Sequence, residues 1–375
     1  MSLPRSFLDH YDEPFGFVDF AAIGAMSIPA RRRLASMAEV MAGRTEKLVP
    51  FVMGELGTTA ALAARLLRTD PGRVGIVPNT STGLFTVAFG LPRGSVVVPE
   101  TEFPANLYPW TRAAEAGRIE LRMVEVQAGR LTADLVADAV DTSTVAVAAS
   151  YVDYHTGFRC DLASLREAAG DALLVIDAVQ GQGALEFSME HVDVAVAAGH
   201  KWLRAGGGVG VMAVSDRALE RLSPTLVGWP GVEDPFDVQV PLPHPPLSDA
   251  GRFTMGSPPF TAVAALRGSL EALGEVPMED VERAVIARSK SVEEEVLAAG
   301  AVVLCPPLSD SERSGIVTFR PSGESSADAY ARLTEAGFFL TERGGYLRVA
   351  PHASTHPDAA AALGEILRTR GSFAT

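Results

Sequence analysis

From Arg73 onward the chain repeats one unit, a short run of β-branched and small apolar residues followed by a stretch with helical spacing. The runs are RVGIVP, SVVVPE, RIELRMVEV, STVAVAAS, ALLVIDAV, VDVAVAA and GVGVMAV. They are nearly continuously apolar rather than alternating, which implies burial on both faces and hence a largely parallel sheet covered by helices. In such sheets ligands bind beyond the carboxyl ends of the strands, so the residues that follow each run are the places to search. The rhythm breaks between about Val227 and Pro259, where GWPGVEDPF, PLPHPP and GSPPF read as a long ordered loop. Beyond it come two helical patterns, TAVAALRGSLEALGEV and MEDVERAVIARSKSVEEEVLAAG. Short strands AVVLCP, GIVTF and LRVAP follow, with a helix around ADAYARLTEAG between the last two. The expected fold class is α/β, with a large unit over 16–260 and a smaller C-terminal α/β unit over 261–375, joined by the segment 1–15.

A length of 375 residues fits about two domains. Hydrophobic residues at 47% and charged residues at 21% are ordinary globular usage and argue against disorder. A formal net charge of -14 opposes a phosphate backbone, which argues against a nucleic-acid partner and for small-molecule ligands. Arg31, Arg32 and Arg33 form the densest basic cluster and read as a solvated helix face. Two cysteines, Cys160 and Cys305, are too few for a disulfide framework and fit a reducing cytoplasm. The start MSLPRSFLDHYDEP lacks the pattern of a signal peptide, and no apolar run approaches the ~20 residues of a membrane span. A cytoplasmic protein with no membrane partner is expected.

Three segments carry chemistry. In VDVAVAAGHKWLRAGGGVGVM, a β-like run delivers Gly199, His200 and Lys201, and the glycines from Gly206 to Gly210 lead into another strand. Burial lowers a lysine's pKa toward neutrality and makes its amine a nucleophile toward an aldehyde, so a cofactor aldehyde is the natural partner. A dinucleotide fingerprint would open a helix instead of a strand, and a plain structural turn is the remaining alternative. In ALLVIDAVQGQG, Asp177 and Gln180 follow a buried strand. A carboxylate there can keep a pyridinium nitrogen protonated, with Gln180 within reach of the ring's phenolic oxygen, or it can simply cap a helix. In VPNTSTGLFTVAFGL, Asn79, Thr80, Ser81 and Thr82 open an apolar helical stretch, suited to a phosphate or to ordinary capping.

Together these segments resemble the class V aminotransferase family of enzymes dependent on pyridoxal 5'-phosphate (PLP), of fold type I. That family includes cysteine desulfurases, selenocysteine lyases, kynureninases and isopenicillin N epimerase-like proteins. The resemblance runs from FVDFAAIGAM to LRVAPHASTHPD, and the lysine signature from Val192-Asp193 through Gly199-His200-Lys201 to Gly208-Val209-Gly210 is matched throughout. It implies that the large unit binds PLP, that Lys201 holds the cofactor as a Schiff base, that Asp177 partners the pyridinium and that Gln180 neighbours the phenolate. Thr80, Ser81 and His200 are then phosphate ligands. Phe103, in PETEFPANLYPW, takes the stacking position where the family often has histidine; phenylalanine keeps the stacking but cannot move a proton. Tyr151 stands where many relatives have Asn or His beside the cofactor.

By the same resemblance GRFTMGSPPF crosses a dimer interface, so that Gly256 and Ser257 help bind the neighbour's cofactor phosphate in a homodimer with shared active sites. Arg348, with Arg343 close by in TERGGYLRVAPH, matches the arginine that grips a substrate carboxylate, although the two read alone as a surface ion pair. No metal is expected: His352 and His356 have helical i, i+4 spacing, but Pro351 and Pro357 flank them. Cys160 and Cys305 read as buried core residues.

The function implied is a PLP-dependent transferase, an aminotransferase acting on an amino acid or amine. The alternative is a PLP-dependent lyase or epimerase, similar to selenocysteine lyase or cysteine desulfurase but without a catalytic cysteine. Desulfurases of this family use a cysteine shortly before the carboxylate arginine, and GFFLTERGGYLR, from Gly337 to Arg348, contains none. A non-enzymatic PLP-fold binding protein is disfavoured by the intact set of Lys201, Asp177 and Gln180.

Overall fold

The computed structural model describes residues 3–43, 48–307 and 309–369. The seven apolar runs form β1 (Val74–Val77), β2 (Ser95–Pro99), β3 (Glu120–Val124), β4 (Thr144–Ser150), β5 (Leu173–Asp177), β6 (Val194–Ala198) and β7 (Gly210–Val214). They make one sheet in the order β1-β7-β6-β5-β4-β2-β3. The strands β6, β5, β4, β2 and β3 are parallel, whereas β7 runs antiparallel to both of its neighbours, β6 and β1. The reversal follows from the short Gly199–Val209 connection, which leaves no room for the helical crossover that a parallel return needs.

Alternate residues of the central strands feed two apolar layers, as a two-residue side-chain period requires. Val147, Leu174, Ile176, Ala195 and Ala197 face one layer, and Ala146, Leu173, Val175, Val194 and Val196 face the other. The helix Thr80–Gly90 lies so close on β6 that a Cβ at Gly83 would stand 2.5 Å from Val196 Cγ1. Edge strand β3 departs from the continuous apolar pattern: its Glu120 is exposed, and Arg122 bonds Asp141, as suits an edge that must not pair further.

The long Pro- and Gly-rich stretch is irregular, with only short 3-10 turns at Trp229–Gly231 and Ala250–Phe253. A second, antiparallel sheet follows in the order β10-β11-β9-β8, from β8 (Val302–Val303), β9 (Val317–Arg320), β10 (Thr341–Arg343) and β11 (Tyr346–Val349). Phe319, Leu347 and Val349 of this sheet pack with Val292, Leu333 and Leu363 of the helices Met278–Ala298, Ser326–Glu335 and Ala359–Arg368. The helix Phe260–Leu273, at which the smaller unit was expected to begin, packs on the helices Ile28–Ala42 and Leu48–Leu66, with Val263, Leu266, Leu270 and Leu273 in the large core. The ends of the two spans, 1–2 and 370–375, lie outside the described residues.

The N-terminal segment ties both sheets together. Val18 is buried in the small core, Asp19 bridges Ala350, and the Gly24 N–H donates to His200 O at 2.8 Å. A side chain at Gly24 would put its Cβ 2.2 Å from Lys201 O, so only glycine allows this approach to the lysine turn. Among the described residues no helix is long and apolar enough to cross a membrane.

Candidate active site

The carboxyl ends of β4, β5 and β6 and the start of the helix Thr80–Gly90 open into a cavity of about 340 Å³, the size range of small-molecule sites. The segment Ala21–Ala22 and the strands β10 and β11 close its far side. The structure brings Thr80, Ser81, Phe103, Asp177, Gln180, His200, Lys201, Arg343 and Arg348 together in its wall.

Lys201 is buried, and desolvation pushes its amine down to about 8 against the opposing pull of Asp177. Asp177, the last residue of β5, accepts the Val179 N–H at 3.0 Å, and burial lifts its carboxyl to about 6. Gln180 is held by two bonds: Nε2 donates to Ala21 O at 3.0 Å, and Oε1 accepts from Trp202 Nε1 at 2.9 Å. Its second amide N–H stays available to the cavity. Thr80 Oγ1 accepts the Ala198 N–H at 3.1 Å, and Asn79 caps the helix by accepting the Thr82 N–H at 2.9 Å. Thr80 and Ser81 therefore stand in the first turn of an apolar helix with His200 at the same cavity, an arrangement that attracts an anion. Burial and the Lys201 charge lower the His200 pKa.

Opposite this floor, Phe103 lies with its ring centroid 5.5 Å from Lys201 Nζ, and Tyr154 meets Phe103 edge to face at 5.1 Å. Arg348 is buried; Nη1 donates to Tyr154 O at 2.9 Å, and Nη2 reaches Thr341 Oγ1 at 3.3 Å and Asp19 Oδ1 at 3.4 Å. Burial dominates this pair, raising the Asp19 pKa and lowering that of Arg348. Arg348 Nε is buried with no partner among the described residues, and the guanidinium itself lines the cavity wall. Arg343 lies over the Tyr154 ring at 5.7 Å.

One of the expected site residues lies elsewhere. Tyr151 points away from the cavity: its hydroxyl donates to Glu186 O at 2.9 Å and accepts from Arg159 Nε at 2.8 Å. Successive strand residues face opposite sides, so with Ser150 lining the cavity at the end of β4, Tyr151 must turn to the other face. The tyrosine at the cavity is Tyr154, in the turn that follows β4. Gly256 and Ser257 are exposed and outside the cavity wall of their own chain. The sequence reading also missed Ser150, Thr341 and Asp19, which no motif marks. Neither cysteine lines the cavity; both are buried and free, and burial raises the pKa of both thiols. Among the described residues no cluster of His, Cys, Asp and Glu could hold a metal ion.

The family model described as aminotransferase class-V matches residues 58–354, which include every residue of the cavity wall beyond Ala22. The chain belongs to that family. It is 29% identical over 325 residues to a probable cysteine desulfurase of Aeropyrum pernix, covering 81% of this chain and 76% of that one. It is 26% identical over 291 residues to the kynureninase of Deinococcus radiodurans, covering 74% and 68%. Among solved structures, a cystine C–S lyase in complex with its reaction product cysteine persulfide superposes with a TM-score of 0.86, at 20% identity over 95% of this chain and 98% of that one. That likeness establishes the fold, a mixed α/β architecture of PLP fold type I.

PLP is the cofactor of this class V chain, and the cavity fits it. A buried amine with a lowered pKa, a carboxylate at a strand end, an aromatic face and a hydroxyl-rich helix start line one space. These are the groups an aldehyde, a pyridine nitrogen, a ring face and a phosphate require.

Proposed function

We propose that the protein is a PLP-dependent enzyme that acts at the α-carbon of a free amino acid, with amino-group transfer as its reaction. The observation that carries this reading is the buried Arg348 guanidinium, held by Tyr154 O, Thr341 and Asp19, in the wall of the same cavity as the Lys201 amine. In this reading Arg348, helped by Arg343, binds the substrate carboxylate, which leaves the amino group directed at the floor. Lys201 would hold the cofactor, and its buried amine, with a lowered pKa, would carry the proton to and from the substrate carbon. Asp177 keeps the ring nitrogen protonated, Gln180 donates to the phenolic oxygen, Thr80, Ser81 and His200 bind the phosphate, and Phe103 covers the ring. The cofactor supplies the electron sink that makes the α-carbon acidic. Phe103 moves no proton, so Lys201 is the proton carrier on the floor.

A second reading, elimination from the β-carbon, is supported by the names of the desulfurase and kynureninase relatives. Such a lyase would work without a cysteine nucleophile, because both thiols lie outside the cavity. We also place the protein in the cytoplasm as a homodimer, in which the exposed Gly256 and Ser257 complete the partner's phosphate site; sedimentation equilibrium reads the dimer directly. The reaction is tested by mixing the holoenzyme with single amino acids and following the cofactor spectrum. Conversion to the pyridoxamine form supports amino-group transfer. Release of the β-substituent together with alanine, or with ammonia and a keto acid, without that conversion supports the lyase, and no response to any amino acid overturns both.

A further inference from the structure

A carboxyl group outside the expected set lies just behind the cavity wall. Glu102 immediately precedes Phe103, and its carboxyl hydrogen-bonds Ser150 and the Asn106 side chain. Oε1 accepts the Ser150 N–H at 2.6 Å, and Oε2 lies 2.5 Å from Ser150 Oγ. Ser150 lines the cavity and is paired in register with Asp177 on β5. The other groups packed around Glu102 add no positive charge. Asp177 faces it from β5 and disfavours its ionisation, the Cys160 thiol sits behind Ser150 O at 3.5 Å, and Asn106 from the following helix presents a neutral amide. Burial pushes the Glu102 carboxyl up to about 8, so it holds its proton at neutral pH.

That proton has one place to go. The Ser150 N–H can only donate, and Asn106 Oδ1 already accepts from Trp110 Nε1, which leaves the short contact to Ser150 Oγ for the Glu102 O–H. The serine hydroxyl then accepts from Glu102 and has its own hydrogen free for the cavity. Ionised Glu102 reverses the bond: the hydroxyl hydrogen is drawn back to the carboxylate, and only a lone pair faces the cavity.

We propose that Glu102 is a positioning residue that sets the hydrogen-bonding polarity of Ser150, making its hydroxyl a donor to the cofactor ring when Glu102 is protonated. The inference rests on the PLP reading of the cavity. Glu102 touches no substrate and acts only through Ser150. Losing the donor and gaining a second carboxylate beside Asp177 both weaken the binding of an anionic cofactor, so affinity falls as pH rises through the Glu102 transition.

The test is binding of pyridoxamine 5'-phosphate, which needs no covalent link, followed by fluorescence between pH 6.5 and 9.5 in a Lys201→Ala background. That background removes the lysine, whose own titration also lies at about 8; because the Lys201 charge lowers His200 and Asp177, both move up without it, and the step assigned to Glu102 is the part that Glu102→Gln removes. The expected result is a dissociation constant that rises about 3- to 10-fold, the scale of one hydrogen bond, with a midpoint near 8. Adding Glu102→Gln, whose amide donates permanently to Ser150 Oγ, keeps the low-pH affinity and abolishes the step. Adding Glu102→Ala leaves Ser150 unclamped and weakens binding at every pH. Ser150→Ala also removes the step and serves if Glu102→Gln does not fold. A step that survives in Glu102→Gln or Ser150→Ala, or a flat profile in the Lys201→Ala parent, overturns the proposal. A parent that binds no probe at any pH overturns the cofactor reading itself.

Discussion

The floor and the rim of the cavity are built in different ways. The floor residues Asp177, Gln180, His200 and Lys201 come from one stretch of chain between β5 and the turn after β6, and neighbouring parallel strands fix their spacing. The rim is assembled from segments far apart in sequence. Asp19 and Arg348 are separated by 329 positions, and Thr341 and the Tyr154 carbonyl hold the same guanidinium. The backbone of a sheet sets one half, and a few side-chain hydrogen bonds set the other. A floor of this kind suits chemistry shared across a family, and a rim of this kind suits the discrimination of substrates.

Substitutions on the two sides should therefore separate kinetically. On the floor, Asp177→Ala is expected to lower kcat about 10²- to 10³-fold, the scale of losing one preorganised electrostatic partner, while circular dichroism stays unchanged. A loss below about tenfold would place the ring partner elsewhere. On the rim, Arg348→Ala is expected to raise KM about 10- to 100-fold, the worth of charge-assisted hydrogen bonds to a carboxylate, with a smaller change in kcat. An equal fall in kcat would erase the proposed division of labour. The smallest effect is expected from Cys305→Ser: any sulfide release from L-cysteine should be unaltered, because this thiol is buried away from the cavity. Sulfide release that disappears in the variant would make Cys305 a nucleophile after all.

The same contrast explains what could be read from the amino-acid order. Floor residues follow apolar runs, so the rule that ligands sit beyond strand ends pointed at Asp177 and Lys201 from sequence alone. Rim residues belong to no local pattern; Thr341 and Asp19 acquire their role only when the N-terminal segment docks beside β11. Arg348 was found through family resemblance, and its buried state is a tertiary fact. Tyr151 follows the last residue of β4 and turns to the face opposite Ser150, a side that the amino-acid order alone does not mark. Glu102 escaped because a glutamate before a proline-led helix looks solvated, and only the neighbouring β4 buries its carboxyl. The reversal of β7 was likewise invisible in its apolar pattern, since it depends on the length of the connection before it.

The most direct measurement is chemical fixation of the cofactor. The chain has three lysines, Lys47, Lys201 and Lys290, so the attachment site is readily mapped. Borohydride reduction of the yellow holoenzyme, followed by peptide mass mapping, should place the adduct on Lys201, and Lys201→Ala should carry none. Capture of PLP by the apoprotein should accelerate about tenfold per pH unit up to about 8 and level off above it, because the neutral amine is the nucleophile and burial places its pKa there. An adduct on Lys290, which is ion-paired with Asp310 at the surface, or on Lys47 would contradict the assignment of the site.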